Sequence, residues 1–339
     1  MSSGVYLGAY LAPLTPWLSR PDITDILVNR PGEVWLETLH AGLSRETAPE
    51  VTEPVLAMLA RQIAAASHQG VNREQPLLSA ALPDGARVQI IAPPATRTGL
   101  AMAVRKHQIV DLTLEKLASG GLFARRTCST AGKPSADAEL AALLEAGDTK
   151  AFLRAAVMAR KNIVIAGGTS SGKTTLFNAV IKEIDPRERL IVIEDAPEVR
   201  LPHDNALGLL ATRGDQGEAR IDAEDLLAAA LRMRPDRILL GELRGKEACA
   251  FLRAVNTGHP GSITTVQADN PQGAIDQIAL LALTSGVDLE WPVVSAYVRR
   301  IIDIIIQMRR VDGRRQVSEI VFRAGGLEDQ VAAFAPAPP

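Results

Sequence analysis

Asn162-Ile163-Val164-Ile165-Ala166-Gly167-Gly168-Thr169-Ser170-Ser171-Gly172-Lys173-Thr174-Thr175 is the stretch whose reading decides the fold. Its first five residues are a short apolar run, read as a buried strand. Gly167, Gly172, Lys173 and Thr174 then satisfy G-x-x-x-x-G-K-[ST]. The residues after Thr175 continue as a helix through Ile184. A strand, a glycine-rich turn and a helix in that order form a phosphate cradle. Glycines let backbone N–H groups turn inward, and the helix N-terminus adds its positive dipole end. Lys173 supplies a mobile cation for β- and γ-phosphates, and the Thr174 hydroxyl is a hard oxygen ligand for Mg²⁺. The candidate ATP-binding loop therefore comprises Gly167, Gly168, Thr169, Ser170, Ser171, Gly172, Lys173, Thr174 and Thr175.

Outward from this loop the pattern repeats as strand, loop, helix. Leu190 to Ile193, Arg237 to Leu240 and Ser262 to Gln267 are short apolar runs; Asp222 to Met233 and Lys246 to Asn256 have helical character. Short buried strands alternating with helices predict a parallel sheet covered on both faces. Ile301 to Met308 and Arg315 to Phe322, joined through Val311-Asp312-Gly313, close the region as a hairpin.

Before the loop, residues 1–118 read as a smaller mixed α/β domain. Asp22 to Asn29 and Glu33 to Glu37 are strands around Arg30-Pro31-Gly32, and Leu77 to Leu82 and Ala86 to Ala92 flank Pro83-Asp84-Gly85. Leu100 to Arg105 is a further strand, and Glu50 to Ser67 has helical periodicity. Residues 119–137 are rich in Ser, Gly, Lys and Pro and read as a flexible linker. Residues 138–339 form the second domain, which helices at Asp137 to Ala146 and Lys150 to Arg160 introduce. Of 339 residues, 37 are basic and 39 acidic, so no global pull toward nucleic acid or anionic lipid follows. Two cysteines make neither a disulfide framework nor a metal motif. No apolar run approaches the ~18–20 residues of a bilayer span, and the start shows no secretion signal. A reducing cytoplasm with peripheral membrane association through partners is the expectation.

Three further groups gather around the loop. Arg237-Ile238-Leu239-Leu240-Gly241-Glu242 is an apolar run ending in a carboxylate, so Glu242 is expected at the C-terminal end of a parallel strand, where such sheets bind ligands. There it can hold Mg²⁺ or orient water. Ile193-Glu194-Asp195-Ala196-Pro197-Glu198 places three acids after another strand. His259, before the strand at Ser262, is expected to reach the same edge and hydrogen-bond the γ-phosphate.

The loop at 167–175 with Ile193 to Glu198, Arg237 to Arg244 and Thr257 to Thr265, in that order, resembles the secretion traffic ATPases of type II secretion, type IV pili and type IV secretion. Leu231-Arg232-Met233-Arg234-Pro235-Asp236, Gly258-His259-Pro260-Gly261-Ser262-Ile263-Thr264-Thr265, Val28-Asn29-Arg30-Pro31-Gly32-Glu33 and Val104-Arg105-Lys106 are similar to the type IV secretion branch. The resemblance implies an α/β fold: a RecA-like P-loop core with a parallel-rich sheet, preceded by the smaller domain. It implies a hexameric homo-oligomer, with ATP and Mg²⁺ held between domains and inner-membrane secretion components as partners. Cargo is then protein or a DNA–protein complex, handled indirectly. Carried over by position, Glu198 is the general base and Glu194 its support. Glu242 is the Walker B carboxylate and, with Thr174, a metal ligand. His259 is the His-box residue, Arg232 the inter-subunit finger, and Arg105 an N-terminal-domain arginine near the nucleotide. Gly168 and Ser171 depart from the residues common in the family, at variable positions of the motif. The rival class, a nucleic-acid-translocating ring, calls for a basic, aromatic channel. A net charge of −2 and three Trp, three Tyr and six Phe argue against it.

Overall fold

Alternation along each strand sets the layers. The computed structural model describes residues 3–39, 41–106, 135–212 and 218–322. The first six strands are β1 (Ile23–Val28), β2 (Gly32–Thr38), β3 (Gly42–Ala48), β4 (Leu77–Ala81), β5 (Arg87–Ile91) and β6 (Ala101–Arg105). They form one antiparallel sheet in the order β3-β2-β1-β6-β5-β4. Helices α1 (Ser3–Leu11), α2 (Thr15–Leu18) and α3 (Glu53–Ala66) cover one face. In α3 the buried residues Leu56, Leu59, Ala60, Ile63 and Ala64 recur at helical spacing, which makes a single apolar stripe. That stripe meets Ile26, Val28, Met102 and Val104. The alternate residues Leu27, Ala101 and Ala103 face the other way and join the core of the second domain with Leu207, Leu209 and Ile221. The central strands β1 and β6 are therefore buried on both faces.

The second sheet contains β7 (Ile163–Gly167), β8 (Leu190–Glu194), β9 (Ala206–Leu210), β10 (Arg237–Leu243), β11 (Ile263–Val266), β12 (Ile304–Val311) and β13 (Arg314–Phe322). Its order is β13-β12-β7-β11-β10-β8-β9, parallel throughout except for the β12–β13 hairpin. Helices α4 (Ser135–Glu145), α5 (Thr149–Met158) and α6 (Lys173–Ile181) cover one face, over Ile163, Ile165, Leu190 and Val192. Helices α7 (Ala223–Ala230), α8 (Glu247–Asn256), α9 (Pro271–Leu283) and α10 (Trp291–Ile301) cover the other, over Val164, Ala166, Ile191 and Ile193. The expected two-faced parallel sheet is present.

Several elements went unread in the sequence. β3 is mostly exposed and polar, and β9 carries Gly208 in its interior, so neither shows a strand pattern. Helices α1, α9 and α10 were unassigned. Most of the expected linker lies outside the described residues. Residues 135–137, placed at its end, are instead the first turn of α4. There Asp137 is buried and accepts an ion pair from Lys161 at 2.6 Å. Between α7 and β10 the chain turns sharply, so helix does not continue to Met233.

The two sheets are joined by polar as well as apolar contacts. The loop after β5 runs antiparallel to β9: Leu210 N donates to Ala95 O at 2.9 Å and Arg97 N to Gly208 O at 3.1 Å. Arg189, fully buried, donates to Asn29 Oδ1 at 2.7 Å and to Met233 O at 2.9 Å. Arg234 pairs with Glu37 of β2.

Candidate active site

Four parallel strands, β7, β8, β10 and β11, end at one edge, and the residues that follow them line a cleft of about 470 Å³. This is the crevice outside the carboxyl ends of the strands, where open α/β sheets bind ligands. Residues Thr169 to Thr175, Glu194, Asp195, Glu198, Glu242 and Gln267 all line it.

The loop backbone is shaped by the hairpin above it. Gly167 lies opposite Met308 in the β7–β12 register, and a Cβ there would sit 2.7 Å from Met308 O and 2.5 Å from Ser171 Oγ. Gly172, the N-cap of α6, has a φ of 100°, and a Cβ on it would meet the Arg315 side chain of β13 at 2.9 Å. Both glycines are thus required by close approach as well as by conformation. Gly167 and Gly168 sit behind the cleft, and their carbonyls accept from Lys173 Nζ at 2.7 and 3.1 Å. Burial pushes the Lys173 ammonium below its usual pKa, while Glu242 pulls it up and Arg244 lowers it further. The buried Ser171 Oγ has no hydrogen-bond partner. That orphaned hydroxyl and the open N-terminus of α6 suit an anionic ligand.

The acids have distinct settings. Glu194 is buried, and its Oε2 accepts the backbone N–H of Glu198 at 3.0 Å and of Val199 at 2.9 Å. Its other oxygen pairs with Arg97 of the N-terminal domain. Glu198 is exposed to the cleft. Glu242 pairs with Arg244, which also approaches Asp195 at 3.8 Å. Asn178 of α6 receives Arg200 N at 2.7 Å and donates to Glu198 O at 3.2 Å, which ties the acidic loop to the phosphate-loop helix. Among the described residues no group of three or more His, Cys, Asp or Glu could hold a metal alone. Thr174 and Glu242 offer two oxygens, a set that fits Mg²⁺ only when phosphate oxygens and water complete its shell.

Three sequence-derived site residues lie elsewhere. His259 does not line the cleft. It precedes β11, and a residue before a parallel strand sits at the strand's N-terminal edge, opposite the phosphate loop. Its Nδ1 lies 3.0 Å from Ala254 O. The β11 residue that reaches the cleft is Gln267, which follows the strand. Arg232 is exposed between α7 and β10, away from the cleft. Arg105, at the end of β6, pairs with Asp25 at 3.3 Å and does not line the cleft. Conversely, Arg244, Gln267 and Arg315 line the cleft and Arg97 stands against Glu194, and no motif in the sequence marks any of the four as a site residue. Gln267 was findable from its place after a buried strand; Arg97 and Arg315 come from distant segments that local patterns do not connect.

Residues 9–326 match the family described as type II/IV secretion system protein. The chain belongs to that family. It is 39% identical over 328 residues to the type IV secretion system protein VirB11 of Bartonella quintana, covering 92% of this chain and 91% of the relative. It is 41% identical over 328 residues to the type IV secretion system protein PtlH of Bordetella pertussis, covering 93% and 95%. The crystal structure of the VirB11 ATPase from the Brucella suis type IV secretion system, in complex with sulphate, superposes with a TM-score of 0.87 at 37% identity. That match covers 94% of this chain and 98% of the other. The chain is a type IV secretion traffic ATPase of this superfamily, and the expected α/β fold with an N-terminal domain is the fold of its structural neighbour. No helix among the described residues is long and apolar enough to cross a membrane.

Proposed function

We propose that this chain hydrolyses ATP (ATP + H₂O → ADP + Pi) as one subunit of a hexameric ring that powers a type IV secretion machine. The cleft carries the reading: Lys173 and the N-terminus of α6 face Glu198 and Glu242 across one sheet edge. Phosphoryl transfer needs positioning and charge neutralisation more than covalent chemistry. The α6 N–H groups and Lys173 bind the phosphates. Glu198, exposed to the cleft while its backbone is pinned, accepts a proton from the attacking water. Mg²⁺, when bound, neutralises phosphate charge, and Thr174 and Glu242 are the residues that would hold it. Arg105 and Arg232 do not line their own chain's cleft. That placement fits arginines supplied to a neighbouring subunit's nucleotide. The ring works at the cytoplasmic face of the inner membrane and meets its protein or DNA–protein cargo through membrane components.

The test is phosphate release by the purified chain with Mg-ATP, beside the mass of the active particle. Wild type turns over as a six-chain assembly. Lys173→Ala loses turnover about 100-fold or more with an unchanged circular dichroism spectrum. Normal turnover in Lys173→Ala would falsify the assignment.

A further inference from the structure

We infer that Arg97 of the N-terminal domain is a positioning residue for the catalytic loop: through Glu194 it holds residues 198–199 in place, so that Glu198 is set only when the two domains are docked. The inference rests on the reading of the cleft as an ATPase site. Arg97 is not among the residues that line the cleft and acts through Glu194, which is.

The geometry is built from both sides. The Arg97 side chain crosses β9 at Gly208, where a Cβ would lie 2.5 Å from Arg97 Cδ and 2.6 Å from Nε. Gly208 therefore keeps open the slot through which the arginine passes. Beyond it the guanidinium pairs with Glu194, at the C-terminal end of β8, and Nη1 donates to Val199 O at 2.8 Å. Glu194 returns to the same segment, accepting from Glu198 N at 3.0 Å and Val199 N at 2.9 Å. One ion pair thus grips the peptide on either side of Glu198 through three hydrogen bonds. Both partners are largely withdrawn from water, at 16% and 4% side-chain exposure, so losing either one strands the other's charge in the interior. The other end of Arg97 belongs to the loop zipped onto β9, so a shift of the N-terminal domain moves the guanidinium with it. Undocking would release Glu194 and, with it, the backbone that aims Glu198. Hydrolysis is then tied to domain position.

The experiment uses the full chain. Arg97→Met keeps the apolar stem in the Gly208 slot and removes the charge; Glu194→Gln keeps the shape and removes the counter-charge; the double variant carries both. Steady-state turnover, affinity for a fluorescent ATP analogue and amide hydrogen exchange at Glu198 and Val199 are measured for each. Turnover is expected to fall about 10- to 100-fold in either single variant, as for a displaced catalytic group. Nucleotide affinity should stay within about twofold of wild type, and the double variant should be no slower than the worse single one. Exchange at Glu198 and Val199 should quicken while α6 stays protected, and Arg97→Lys should recover part of the turnover. Unchanged turnover with unchanged exchange, losses that multiply in the double variant, or a loss of nucleotide affinity in place of turnover would each overturn the inference. A wild type without ATPase activity would sink the underlying reading alone, since the exchange measurement reports the clamp independently.

Discussion

At the scale of single residues, the cleft is shaped by what is absent from three glycines. Gly167 and Gly172 make room for the β12–β13 hairpin, and Gly208 makes room for Arg97. At Gly167 a methyl group meets a backbone carbonyl as well as a hydroxyl, and a carbonyl cannot swing away. Gly167→Ala is expected to strain the loop by about 1–3 kcal/mol. Equilibrium titration should show nucleotide binding about 10- to 100-fold weaker where the loop shifts to relieve the contact, and denaturant titration should show a lowered unfolding midpoint. Lys173, Thr174 and Glu242 were legible in the sequence because their roles follow from short local motifs. His259 lies at the other end of β11 from the one expected: it precedes the strand, and in a parallel sheet a residue before the strand sits at the edge opposite the phosphate loop. The direction of the strand decides that, and it sends Gln267 to the cleft.

At the scale of elements, β12 enters the sheet beside the phosphate-loop strand, and its entry is pinned by Asp303. That carboxylate accepts Asn162 N at 2.7 Å and approaches Lys161 at 3.6 Å. Burial raises its pKa above the usual 3.8, against the Asn162 N–H and Lys161, which lower it. A raised folded-state pKa adds stability below the unfolded value, and that stability is lost as pH rises through the folded value. Asp303→Asn keeps the acceptor and removes the titration. Denaturant unfolding should therefore show the advantage of wild type over Asp303→Asn largest below about pH 3.8 and shrinking as the pH rises above it. A difference independent of pH would contradict this. The elements themselves are legible where the pattern is strong: β7 and β8 begin with four apolar residues each, β10 holds Ile238 to Leu240, and α3 has one clean stripe. β9 escaped because its glycine answers to Arg97, a tertiary neighbour, rather than to strand propensity.

At the scale of the whole molecule, the central strands of the N-terminal sheet have no solvent face: helices cover one side and the ATPase core the other. Leu27 is fully buried in the shared cluster. Leu27→Ala should cost about 2–5 kcal/mol, and scanning calorimetry should show the melting of both domains moving together. Two separate transitions, only one of them shifted, would contradict a common core. By itself the sequence determined the phosphate loop, the acids beside it, the parallel sheet and the kinship to secretion ATPases, because each is encoded by residues a few positions apart. Only the tertiary structure decided which acid is free and which is clamped, and that Arg97 reaches Glu194. Those facts depend on contacts between segments roughly a hundred residues apart, and local spacing carries no information about them.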